Sequence, residues 1–261
     1  MPDSLGLPKL GMTPAFPDSW RRWASPAWQQ AVRSAARRVR SELISQRAAL
    51  SPAVSQPPCP MYDASRAGTE AVEHVAHVAL HARRGDVMSN ARKAHRRVPN
   101  EFYRRILARV HEVLSAKRID HQLHVFSEGK PADFDNMTAG LPTVQLHLNT
   151  DDYAAWHCLG RADLLITSGS GAFSSSAAFY ASNRTHVLYA NWQLQHEQDL
   201  RRRGTSGDAT NPLDEIIPLA MHWHVVAYNG SVAADDEARY VRALRRRART
   251  QRIDPVSSKI F

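Results

Sequence analysis

From residue 75 onward, short apolar runs alternate with longer amphipathic stretches. VAHVAL (75–80), HQLHVFSEG (121–129), TVQLHL (143–148), DLLITSGSG (163–171) and THVLYA (185–190) have the length and β-branched content of strands, several ending in Gly or Ser stops. Between them, PNEFYRRILARVHEVLSAKR (99–118) places Phe102, Ile106, Val110 and Val113 or Leu114 on one helical face. TDDYAAWHCLGRA (150–162) reads as a helix capped by Thr150 with Asp151 and Asp152 in its first turn, and AFSSSAAFYAS (172–182) as a small-residue helix. ADDEARYVRALRRRART (234–250) is acidic at its start and basic at its end, as the helix dipole favours. Strand, crossover and strand in repetition predict an α/β fold with a doubly wound, mostly parallel sheet.

The front of the chain differs. Residues 1–25 read as an irregular lead-in. SPAWQQAVRSAARRVRSELISQRAAL (25–50) spaces Trp28, Val32, Ala35, Val39 and Leu43 as one apolar stripe, with arginines on the opposite face. SPAVSQPPCP (51–60) is a proline-rich linker, so the expected division is a basic helical region over 1–60 and an α/β domain over 61–261. Overall 43% of residues are hydrophobic and 23% charged, ordinary for a globular chain. The net charge of +9 invites an anionic partner, but the basic excess is spread along the chain rather than held in one tail, which argues against nucleic acid. No apolar run approaches the length of a membrane span, and the first residues do not read as a signal peptide. The two cysteines, Cys59 and Cys158, are far apart and read as free thiols rather than a disulfide framework.

Ligands of an open α/β sheet bind beyond the carboxyl ends of its strands. Three expected strands finish there in polar groups: His81, Arg83, Arg84 and Asp86; Ser127 and Glu128; and Thr167 to Gly171. The last leads into a helix start, whose free N–H groups suit phosphate, and the arginines suit the same phosphates. Neither GxxxxGK[ST] nor GxGxxG is present. Simpler roles stay open: Ser168 and Ser170 as turn and capping residues, Arg84 and Asp86 as a surface ion pair, His81 as a core histidine. The pair in HWH (222–224) has no third ligand at a metal-binding spacing.

HARRGD, then VFSEG, then RADLLITSGSGAFSSS, in this order, resemble the GT-B fucosyltransferases, the superfamily of the α1,2-, α1,6- and protein O-fucosyltransferases. The likeness covers roughly residues 75–190, the donor-binding half. It implies a Rossmann-like GT-B C-terminal half that takes GDP-fucose as donor and a glycan or glycoprotein hydroxyl as acceptor, by an inverting mechanism without cofactor or metal. Arg83 matches the arginine that holds the β-phosphate and supports its departure. His81 matches a histidine near the nucleotide, Asp163 an acid that reads the guanine, and Ser168, Ser170, Phe173 and Ser174 the segment that meets the diphosphate; Arg84 belongs to the same motif. Asp86 and Glu128 are the candidates for acid/base work. Developing charge on the leaving diphosphate would be stabilised by arginines and backbone N–H groups. Asp151–Asp152 and Asp235–Asp236 are dipole partners rather than a metal pair.

The family's acceptor half normally precedes the arginine motif, and here that segment is short with little strand pattern, so it is expected to be reduced or missing. Two other classes therefore stay open: an inactive nucleotide-sugar or glycan-binding relative, and a basic nucleic-acid-associated protein. The compartment follows from what lies upstream. A membrane anchor there would place the domain in the Golgi or secretory lumen; without one it would be cytoplasmic.

Overall fold

The computed structural model describes residues 30, 34, 35, 38, 42, 59–63, 75–90, 96–168, 172–181, 184–190, 223–227 and 229–253. Its centre is a sheet of six parallel strands: β1 (Ala76–His81), β2 (His121–Ser127), β3 (Val144–Leu148), β4 (Leu164–Ile166), β5 (His186–Ala190) and β6 (His224–Val226), in the order β3-β2-β1-β4-β5-β6. The fold is α/β and Rossmann-like, as the alternating pattern predicts. β1 is buried along almost its whole length because it pairs with β2 on one side and β4 on the other. That explains why it reads as a continuous apolar run rather than an alternating one.

Helices cover both faces. Those described in full are α1 (Pro60–Asp63), α2 (Gly85–Ser89), α3 (Asn100–Ala116), α4 (Asp135–Thr138), α5 (Asp152–Arg161), α6 (Ala172–Tyr180) and α7 (Ala234–Ile253). One face packs Val78, Leu80, Leu123 and Val125 against Phe102, Ile106, Val110 and Leu114 of α3 and Tyr240 and Leu244 of α7. All the residues expected on the inner face of α3 are buried. The other face packs Ala79, Phe126 and Leu165 against Cys158 and Leu159 of α5 and Ala177 and Ala178 of α6. Small residues on α6 let it lie close: Gly160 of α5 has the Ala177 carbonyl oxygen 3.5 Å from where a Cβ would be.

Two local expectations are corrected. The cap of α5 is Asp151, whose carboxylate accepts the Ala154 N–H at 3.0 Å; Thr150 lies one residue too early for that bond. Cys59 and Cys158 are not free thiols: they form a disulfide across 99 residues. Met61 of α1 is wholly buried on the α5/α6 face, and that packing brings the Cys59 Cα within 5.4 Å of the Cys158 Cα. No sequence spacing reports such proximity.

The described residues of the expected N-terminal helix, Gln30, Ser34, Ala35, Arg38 and Glu42, are helical. All are exposed, Ala35 included, although it belongs to the expected apolar stripe. The other stripe residues, the linker over 51–58 and His222 lie outside the described residues. No helix among the described residues is long and apolar enough to cross a membrane.

A disulfide closing a loop of this length restricts the unfolded chain, a contribution of about 4 kcal/mol. Denaturant unfolding with and without reductant is expected to show a loss of that order, and the Cys59→Ser/Cys158→Ser protein is expected to match the reduced one. Identical midpoints would remove the disulfide from the stability of the domain.

Candidate active site

The chain runs outward through β1, β2 and β3, then crosses back to β4 beside β1, so the strand order reverses between β1 and β4. Such a switch point leaves a crevice at the carboxyl ends. A cavity of about 470 Å³ sits there, walled by His81, Arg83 and Arg84 after β1, Ser127 and Glu128 after β2, His147 of β3, and Phe173 of α6.

The strand tips are tied together. The Ser127 hydroxyl donates to the Ala82 carbonyl, while Ala82 N–H donates to the Phe126 carbonyl at 3.0 Å, so β1 and β2 stay in register past their ends. Asn149, at φ 54°, bonds Gly129 in both directions, its Oδ1 and Nδ2 each 3.0 Å from the Gly129 backbone. That brace fixes the β2 and β3 tips relative to each other. Glu128 lies so close to Gly85 that a Cβ at residue 85 would overlap its carboxylate, which would have to swing away.

The two arginines do different things. Arg83 is partly exposed and holds Asp86 in a two-pronged pair, Nε to Oδ1 at 3.0 Å and Nη2 to Oδ2 at 2.6 Å. The Asp86 ion pair is therefore with Arg83 and not with Arg84. Arg84 is buried; its guanidinium donates to the Arg83 carbonyl and to Asn100 Oδ1 and lies 5.6 Å from the centre of the Tyr103 ring. Burial lowers its pKa, yet guanidinium stays charged, so Arg84 is a fixed cation at the cavity wall. The Tyr103 hydroxyl in turn donates to the Ser168 carbonyl at 3.0 Å, linking α3 to the end of β4.

His81 packs against Phe173 with ring centres 5.0 Å apart, and its Nδ1 is shut off from solvent with no hydrogen-bond partner among the described residues. Burial first, and then the Arg83 and Arg84 charges, push its pKa down to about 4, so the ring is neutral at pH 7.

Of the residues expected at the site, the cavity unites His81, Arg83, Arg84, Asp86, Glu128 and Phe173. It does not include Ser168 and Ser174. Both are fully buried and serve each other: Ser174 Oγ accepts the Ser168 N–H at 2.9 Å and bonds Ser168 Oγ at 3.2 Å. They tie the end of β4 to the first turn of α6. Ser170 lies outside the described residues. Asp163 is at the opposite end of the sheet, before β4. There it accepts the His77 backbone N–H at 2.9 Å and pairs with Arg247 at 2.8 Å. Arg96, Asn100, His147 and Asp152 escaped sequence reasoning: none belongs to a motif, His147 lies within the expected strand TVQLHL, and Asp152 reads as a helix-dipole partner. Among the described residues, no group of three or more His, Cys, Asp or Glu side chains is arranged to hold a metal ion.

No protein-family model matches the chain, and no curated protein matches it either. Among solved structures, the chain is similar to the crystal structure of POFUT1 in complex with GDP, at 15% identity and a TM-score of 0.29. The match covers 49% of this chain and 44% of that one, so the chain spans less than half the length of POFUT1. A likeness of that depth carries no argument about chemistry.

Histidines buried as neutral rings couple folding to pH. His81, His124 and His186 have pKa values lowered to about 4, 3 and 4, chiefly by burial. Unfolded, each binds a proton below its ordinary value of 6.5; folded, none does until well below that. Their contribution to stability is therefore whole above about pH 6.5 and shrinks as pH falls towards 4. Thermal unfolding is expected to show a melting temperature that falls over that interval, less steeply in His124→Gln; equal pH slopes for the two proteins would count against it.

Proposed function

We propose that the cavity binds the diphosphate of a nucleotide sugar, and that the protein is a fucosyltransferase-like enzyme using GDP-fucose and an acceptor hydroxyl on a glycan or glycoprotein. One observation carries this reading. Three stretches widely separated in the sequence, HARRGD, VFSEG and the start of AFSSS (Ala172 and Phe173), all supply walls of the same cavity at the switch point. A volume of about 470 Å³ is within the range of small-ligand sites.

In this reading the bond between the sugar C1 and the β-phosphate oxygen breaks, while a bond from C1 to the acceptor oxygen forms on the opposite face. The electron pair leaves on GDP. Arg83 meets the growing phosphate charge by exchanging one prong of its Asp86 pair for a phosphate oxygen. Arg84, held by Asn100 and Tyr103, adds a positive field without moving. His81, neutral and packed on Phe173, lines this wall without adding a buried charge. Metal-free transfer belongs to this proposal. The Cys59–Cys158 disulfide favours an oxidising compartment such as the secretory lumen.

A second reading, binding without turnover, is favoured by the commitment of Arg83 to Asp86. The two part company on whether GDP is released from GDP-fucose.

Calorimetric titration of GDP without divalent metal is the test. Wild type is expected to bind. Arg83→Ala is expected to weaken binding by ~10–100-fold, the effect of losing one charge-assisted contact. Asp86→Asn, which removes the carboxylate charge paired with Arg83, is expected to tighten it. A folded wild-type chain that ignores GDP would end the donor-site reading.

A further inference from the structure

On the sheet face covered by α5 and α6, three histidines stand in a hydrogen-bonded line. His77 Nδ1 is 3.1 Å from His124 Nε2, and His124 Nδ1 is 3.0 Å from His147 Nε2. The line runs diagonally over β1, β2 and β3, from the amino-terminal end of β1 towards the carboxyl end of β3. One end, His147, is part of the cavity wall. Its ring is stacked on Phe126, centres 4.5 Å apart and planes 20° from parallel, which sets its orientation. At the other end, His77 sits beside Asp163, whose carboxylate bonds the His77 backbone N–H. His124, in the middle, is fully buried.

A neutral imidazole carries one N–H, so two bonds in series allow only two arrangements. In the first, His147 Nε2–H donates to His124 Nδ1 and His124 Nε2–H donates to His77 Nδ1. His147 Nδ1 is then bare and able to take a proton. In the second, every donor and acceptor is exchanged and His147 Nδ1 bears a proton. Adding one proton at the cavity end converts the first arrangement into the second and leaves the positive charge on His77, the residue whose backbone N–H the Asp163 carboxylate accepts.

We propose that His147 is the general base of the cavity, taking the acceptor hydroxyl's proton on Nδ1, with His124 and His77 as the positioning residues that hold its tautomer and carry the charge away. This rests on the donor-site reading above. As the acceptor oxygen bonds to C1 and GDP departs with the electron pair, the hydroxyl proton passes to His147 Nδ1. The Nε2 proton of His147 moves to His124 Nδ1, and the Nε2 proton of His124 to His77 Nδ1. Burial holds the pKa of His124 down to about 3, so this ring passes a proton on rather than keeping one. Arg83, Arg84 and Arg96 face the cavity end of the line together with Asp86, Glu128 and Asp152. The two acids expected for this work are less suited. Asp86 is engaged by Arg83, and Glu128 is exposed with no hydrogen bond among the described residues to aim its carboxylate.

The test compares wild type, His147→Ala and His124→Gln for GDP affinity by calorimetry and for release of GDP from GDP-fucose. His147→Ala is expected to lose on the order of 10²-fold or more in kcat, to keep its GDP affinity, and to regain part of the rate when free imidazole is added. His124→Gln is expected to lower kcat while leaving KM for GDP-fucose in place. If the alanine variant does not fold, His147→Gln, which keeps a similar volume, takes its role in the comparison. A His147 variant that binds GDP and releases it from GDP-fucose at the wild-type rate overturns the base assignment. So does a wild-type chain that binds GDP but never releases it from GDP-fucose. Wild type that does not bind GDP at all identifies a different failure, that of the donor site itself.

Discussion

The backbone ladder of β1 is the constraint on which the rest of the structure depends. Both edges of this strand are hydrogen-bonded, to β2 on one side and β4 on the other, so its six residues have no freedom to shift. Because the chain goes one way from β1 and returns to its other side, the tips of β1 and β4 cannot be covered by a single connection. The cavity is what that topology leaves open. Everything placed there, including both arginines and His81, is aimed by a strand that is itself immobile.

The two sheet faces use that rigidity differently. The α3/α7 face is an apolar contact of the usual kind, with Tyr103 and Tyr240 as its largest wholly buried side chains. The α5/α6 face carries imidazoles within its apolar packing. Unpaired, such groups cost free energy to bury; His77, His124 and His147 satisfy one another, which spares the protein a buried charge. A disulfide between Cys59 and Cys158 holds α1 against the same face. Tyr62 beside it reaches the Arg161 carbonyl at 2.7 Å and meets His77 edge-on, so the stapled segment also covers the inner end of the histidine line.

Arg83 and Arg84 show how adjacent residues of one type are given unlike tasks. Successive side chains after a strand point to different sides. Arg84 turns towards α3, where Asn100 and Tyr103 enclose it, and Arg83 turns towards Asp86 at the cavity rim. A buried cation fixed by neutral partners supplies field, and an exposed one in an ion pair supplies an exchangeable contact.

Elements whose cause is local were legible in the chain alone. The apolar run of β1, the helical period of α3 and the acid-to-base gradient of α7 each follow from neighbours a few residues apart, so strand, helix and parallel topology could be read directly. So could the polar strand tips that line the cavity. What the tertiary structure decided is pairing over distance. Which arginine meets Asp86, that Ser168 bonds Ser174 and not the cavity, that Asp163 lies at the far end of the sheet, and that Cys59 reaches Cys158 all depend on how elements pack. The histidine line is the clearest case. His77, His124 and His147 fall at ordinary positions in three separate strands, and only the parallel register between those strands, which no spacing along the chain records, brings their rings into contact.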